Sequence, residues 1–158
     1  MIKEKILTYC RHMIKREKSV HTLALSVSVG VFIAFSPYIF FHTIMIFVLS
    51  WLLNLNLVIT FAVTYAVNNP WTMCFVYLAD YLTGDFILRM ASCSPVLMNP
   101  SWMNWVNGQL CAYTGLSGLS FWSFMVGGNL LAVLFSVMLY PIMKNICIRM
   151  SRNMHRAL

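Results

Sequence analysis

Apolar residues run almost unbroken through the middle of this chain, and the polar residues that interrupt them fall at helical intervals. From Ser19 through Ala79 there is no Asp, Glu, Lys or Arg, a run roughly three times the length one helix needs to cross a bilayer. A second uncharged run extends from Met90 to Met143. An ionised side chain at the bilayer centre costs about 2.5 to 3.5 kcal/mol on insertion scales, so runs of this kind predict membrane. Prolines divide them. A first segment, Val20 to Phe35, ends at Ser36-Pro37. The residue before proline is pushed out of the helical region and proline suits a first turn, so Ser36 is expected to cap, and Pro37 to restart, a helix through Tyr38 to Leu53. After Asn54-Leu55-Asn56, a third segment, Leu57 to Val67, meets Asn68-Asn69-Pro70, and a fourth restarts at Trp71 and continues to about Leu88.

Ser36-Pro37-Tyr38 and Asn69-Pro70-Trp71 repeat one grammar, like the halves of a weak internal repeat. Such paired breaks are the pattern of broken helices that face one another in transporters. Two ordinary hairpins, or one kinked helix, would read the same way. Beyond Arg89 the chain is rich in Asn, Ser, Gly and Trp, with breaks expected at Ser94-Pro95 and Asn99-Pro100, and with Trp102 and Trp105 suited to a membrane interface. Ser120 to Met143 is the cleanest spanning segment, expected to end at Pro141 and Lys144. Ahead of the apolar body, Ile2, Ile6, Tyr9 and Met13 recur at helical spacing among lysines and arginines. Residues 1–18 therefore read as a basic amphipathic helix on a membrane surface, or else as a solvated basic tail.

Composition agrees: 60% of residues are hydrophobic and 9% charged, against about 25% charged in soluble domains. The net charge of +7 changes the picture only through its placement. Six of the 11 basic residues precede Ser19 and four follow Met143, flanking the apolar body instead of forming a face. Basic flanks are retained on the cytoplasmic side, so both termini are expected there and the number of crossings should be even, four being the expectation. Nucleic acid is not an expected partner; the lipid bilayer is. No small-residue cleavage site follows the first apolar run, which is expected to remain as an anchor. The five cysteines form no Cys-x-x-Cys pair, and free thiols are the default, with Cys93 and Cys111 able to pair only if their loop faces an oxidising compartment.

Small residues form stripes. Thr22, Ser26, Gly30 and Ala34 recur every fourth residue, as do Gly128, Ala132 and Ser136, and helices in membranes associate through such close-packing faces. Asn56, Thr60, Thr64 and Asn68 form a polar stripe at the same spacing, which needs a partner helix or water. A carboxyl inside an apolar segment is a functional candidate, which singles out Asp80, with an interfacial or capped carboxylate as the alternative. Asp85 and Arg89 are spaced as a helix ion pair. His42, Asn69, Thr72 and Asp80 are the expected substrate-binding residues, gathered about breaks at Ser36, Pro37 and Pro70. With His21 and His42 one metal site is conceivable, but no His-x-x-x-His supports it, so neither a metal nor a cofactor is expected. No nucleophile motif, phosphate loop or carboxylate pair appears, and an enzyme is not expected.

The run GVFIAFSPYIFFHT, followed by LNLN, NNPWT and ADYLTG, resembles the bacterial membrane-protein family catalogued as domain of unknown function 2062. The likeness is closest over Ser19 to Leu88 and rests on Gly30, Pro37, His42, Thr43, Asn56, Asn69, Pro70, Thr72 and Gly84. The chain carries Phe40 where the family pattern leads one to expect a glycine. The resemblance implies a bacterial inner-membrane protein, in some cases neighbouring or fused to envelope glycosyltransferases, with no known activity. The expected architecture is all-α and integral to the membrane. It comprises the amphipathic helix at 1–18, a membrane domain at 19–143 with two proline-broken, re-entrant or spanning hairpins and a C-terminal transmembrane helix, and a basic cytoplasmic tail at 144–158. Two functions are open: a small transporter or flippase-like module, or a noncatalytic adaptor for envelope glycan or lipid enzymes, with Ser26, Gly30, Ala34, Gly128 and Ala132 as the helix-packing residues; envelope-biosynthesis enzymes and a second copy of the chain are the expected protein partners.

Overall fold

The computed structural model describes residues 19–38, 40–91, 99–114 and 118–155. The amphipathic helix expected over residues 1–18, Cys10, Cys93 with its pairing to Cys111, and the Ser94-Pro95 break lie outside the described residues. Among those described there are six α-helices and no strand: α1 Val20–Phe35, α2 His42–Leu52, α3 Leu57–Val67, α4 Met73–Met90, α5 Ser101–Thr114 and α6 Phe121–His155. They divide into two compact units. The first contains residues 19–34, 40–67 and 133–155, and the second contains 35–38, 68–91, 99–114 and 118–132.

In the first unit α2 and α3 pack together across a turn whose residues explain its closure. Asn54 sits in the left-handed region at φ 49°, where Asn is tolerated better than most residues. There its N–H reaches the Trp51 carbonyl at 3.4 Å, while Leu55 N–H reaches that of Ser50 at 2.8 Å. This is the Schellman arrangement that satisfies the last carbonyls of a helix. Asn56 then caps α3, its Oδ1 accepting the Ile59 N–H at 3.1 Å. Two apolar clusters complete the unit, one of Leu23, Ile59 and Cys147, the other of Val29, Ile33 and Ile46.

Two helix boundaries differ from expectation. α2 does not restart at Pro37: it begins at His42, with Phe41 at the cap position and no side-chain cap, so Ser36 does not cap it. The cause is tertiary. The segment around Pro37 belongs to the second unit, where a Cβ on Gly128 would lie 3.1 Å from the proline ring, and packing there outweighs the local preference for a new helix. α6 does not end at Pro141 either, but runs through it to His155. One proline removes one backbone bond, and the surrounding Leu, Met and Ile residues favour helix strongly enough to carry it past.

α6 is long and apolar enough over Phe121–Arg152 to cross a membrane, whereas α1, α2 and α3 are apolar but shorter. Among the described residues large apolar side chains stand exposed. Phe40 is 92% exposed, Trp71 86% and Trp51 81%. Among the largest side chains fully sealed from solvent, all but Ile33 and Ile46 are polar: Thr60, Thr64, Asp80 and five serines.

Candidate functional site

The polar stripe of α3 is matched by the small-residue stripe of α1. The Asn56 N–H donates to Ser26 Oγ at 2.9 Å, and Ser26 Oγ in turn donates to the Thr22 carbonyl at 2.7 Å. Thr60 Oγ1 lies 3.1 Å from the Asn56 carbonyl and 3.4 Å from that of Ser26. One turn on, Thr64 Oγ1 lies 2.8 Å from the Thr60 carbonyl and 3.0 Å from that of Gly30. This approach requires glycine, because a Cβ on Gly30 would come within 2.9 Å of Val63 Cβ. Both threonine hydroxyls of the stripe have partners, and through them it joins α3 to α1. His42 is buried in the same unit, and beside it Thr43 Oγ1 meets the Tyr65 hydroxyl at 2.8 Å.

In the second unit the break at Pro70 is one capped turn. Asn69 Oδ1 accepts the Trp71 and Thr72 N–H groups at 2.9 and 3.1 Å. Asn69 N–H reaches Thr72 Oγ1 at 3.2 Å, and the Met73 N–H closes on the Asn69 carbonyl at 2.8 Å. A proline following an N-cap-like residue gives up no needed donor. The polar atoms of Asn69 and Thr72 are thereby engaged in the turn.

Asp80 differs. It is 0% exposed, and neither carboxyl oxygen has a hydrogen-bond partner. It sits where α4 meets α6 backbone to backbone. A Cβ on Gly84 would overlap the Ser123 carbonyl oxygen, and one on Gly127 would overlap the Asp80 carbonyl oxygen. One turn before Asp80, Tyr77 stacks edge-on against Phe124 with ring centroids 5.4 Å apart. The Tyr77 hydroxyl accepts the Asn68 amide at 3.3 Å, while Asn68 Oδ1 is buried without a partner. Asp85, five residues beyond Asp80, is engaged instead: it pairs with Arg89 at 2.6 Å and accepts the Ser123 hydroxyl at 3.5 Å.

The four expected substrate-binding residues are thus divided, His42 in the first unit and Asn69, Thr72 and Asp80 in the second. Of the helix-packing residues, Ser26 and Gly30 meet α3, Gly128 meets Pro37, and Ala34 and Ala132 are buried. Gly127 and Ser123 were not singled out by the sequence, although the Gly127-Gly128 pair in an apolar helix was a visible signal. Tyr77 gave none. No group of three or more His, Cys, Asp or Glu side chains gathers among the described residues.

Against known proteins, residues 4–156 match the model of a family described as an uncharacterized protein conserved in bacteria (DUF2062). No curated protein and no solved structure matches the chain.

Proposed function

The chain belongs to this DUF2062 family of uncharacterized bacterial proteins, and we propose that it is a small transport module of the bacterial inner membrane, with Asp80 as its exchangeable charged group. The membrane part of the reading is supported by the many exposed large apolar side chains and by the apolar length of α6. Burial of Ser and Thr beneath an exposed surface of Phe, Trp, Leu and Val is stable only where that surface meets hydrocarbon. At 11 residues each, α2 and α3 are about 17 Å long, roughly half the hydrocarbon core. That suits a re-entrant hairpin, and the Schellman turn leaves its carbonyls satisfied at depth. Lys144, Arg149 and Arg152 near the end of α6 are exposed, as expected of a cytoplasmic end.

The observation that carries the transport reading is the fully buried Asp80 carboxyl with no partner. An isolated ionised carboxylate is too costly to keep in an apolar interior, so a proton or another cation must neutralise it. A group whose neutraliser comes from outside the fold can exchange it. The adaptor reading loses support in the same geometry, because its proposed interfaces are already occupied: Ser26 and Gly30 by α3, Gly128 by Pro37.

In proteoliposomes given a proton or a sodium gradient and loaded with dyes for each ion, the wild-type protein should dissipate at least one gradient faster than empty vesicles. Asp80→Asn should dissipate neither. Wild-type vesicles as tight as empty ones would refute transport of these ions, and undiminished flux through the Asn variant would remove Asp80 from it.

A further inference from the structure

We propose that Asp80 makes the contact between α4 and α6 a proton-operated gate: the helices close on each other while the carboxyl is protonated and part when it loses the proton. The inference rests on the preceding assignment of Asp80 as the exchangeable group, and it adds how exchange there is regulated.

The buried residues of α4, Val76, Asp80 and Gly84, recur every fourth position and so share one face of the helix. α6 covers that face. Asp80 stands opposite Gly127 and Gly84 opposite Ser123, each pair so close that a Cβ on either glycine would overlap the facing carbonyl oxygen. The two helices therefore run antiparallel with their backbones touching, and no layer of water fits between them at that contact. The burial of Asp80 is thus the work of α6, and withdrawing α6 would hydrate it.

The stability of that contact depends on the charge it seals in. The neutral acid is itself a hydrogen-bond donor and can turn its O–H to a helix carbonyl. The carboxylate is strongly disfavoured in an apolar interior unless a counter-charge or hydrogen bonds reach it, and neither carboxyl oxygen has a partner. The α6 residues at this level, Ser123, Phe124 and Gly127, carry no charge, nor does Pro37, which lies against Gly128. Along α4 the titratable neighbours are Tyr77, Tyr81 and Asp85, none of which can supply a positive charge, and the nearest base, Arg89, is held by Asp85. Water is the remaining source of hydrogen bonds for the ion, and water enters only when α6 withdraws. The Ser123 hydroxyl ties the helices through Asp85 by a bond of 3.5 Å, and the facing glycines interlock no side chains, so the contact can part and re-form.

The separation of α4 and α6 tests this without reference to flux. In the full-length protein, with its five native cysteines replaced by alanine, Leu78→Cys and Leu130→Cys at exposed positions of the two helices carry spin labels. Their distance is followed by pulsed electron resonance in lipid nanodiscs over a pH series. It should be short in acid and shift to a longer value as the pH rises. Adding Asp80→Asn, which imitates the neutral acid, should hold the short distance throughout. A distance that does not change with pH overturns the proposal, and so does a shift that survives Asp80→Asn. If Asp80→Asn does not fold, infrared spectra of the labelled protein decide. The carbonyl band of protonated carboxyl groups must lose intensity over the same pH interval as the distance lengthens, and a mismatch overturns the gate. Opening without flux in vesicles would leave the gate standing and remove the transport reading, whereas Asp80-dependent flux across a contact of constant width would do the reverse.

Discussion

Thr64 holds one hydroxyl proton between two carbonyls, those of Thr60 on its own helix and Gly30 on α1. Interhelical bonds of this kind are worth about 0.6 kcal/mol on average in membrane proteins. Thr64→Val, which keeps the shape and removes the donor, should therefore destabilise the detergent-solubilised protein by about 0.5–1 kcal/mol, and Thr64→Ser by less, as read from reversible unfolding. The stripe itself was legible, since fourfold spacing puts Asn56, Thr60 and Thr64 on one face whatever the fold. Its partner was not. Sequence spacing shows that Ser26 and Gly30 form a face, but which face meets which depends on packing across the α2–α3 turn, and that is set by long-range contacts. Asp80 was legible for a related reason: a carboxyl in an apolar run stands out from composition alone. The bond between Asn68 and Tyr77 was not, because Asn68 reads as the end of the α3 stripe and Tyr77 as one aromatic among many.

The pair of elements that matters most for the site is α4 and α6, joined at Gly84 and Gly127. Each glycine faces the other helix's backbone closely enough that a Cβ would overlap a carbonyl oxygen. Gly127→Leu should thus force the helices apart and abolish a folded monodisperse protein in size-exclusion chromatography. Gly108→Ala, with nothing near the added carbon, should leave it intact and stabilise α5 slightly through helix propensity. At this scale the apolar pattern predicted helices well where a polar boundary was local. Val20–Phe35 is bounded by Ser19 and by Ser36-Pro37, and its observed limits coincide with them. The boundaries at Pro37 and Pro141 were misread because proline states a local preference, while the structure sets it against packing on Gly128 in one case and strong flanking helix formers in the other.

Among the described residues large apolar side chains are exposed while serines and threonines are buried beside two apolar clusters, and Asp80 is buried without a hydrogen-bond partner. A soluble protein with this surface would aggregate through its exposed Phe, Trp and Leu side chains, so the proposed function needs hydrocarbon around it. Transport through Asp80 also requires that Asp80 and Asp85, five residues apart on the same helix, behave as different chemical groups. Both demands meet in one experiment. A hydrophobic carbodiimide partitions into bilayers and reacts with protonated carboxyls in apolar surroundings, so membranes containing the protein are treated with it and the modified residues located by mass spectrometry. Asp80 should be modified and Asp85, held by Arg89, should not. Failure to modify Asp80, or equal modification of the two, would contradict the assignment of Asp80 as a membrane-buried, exchangeable carboxyl.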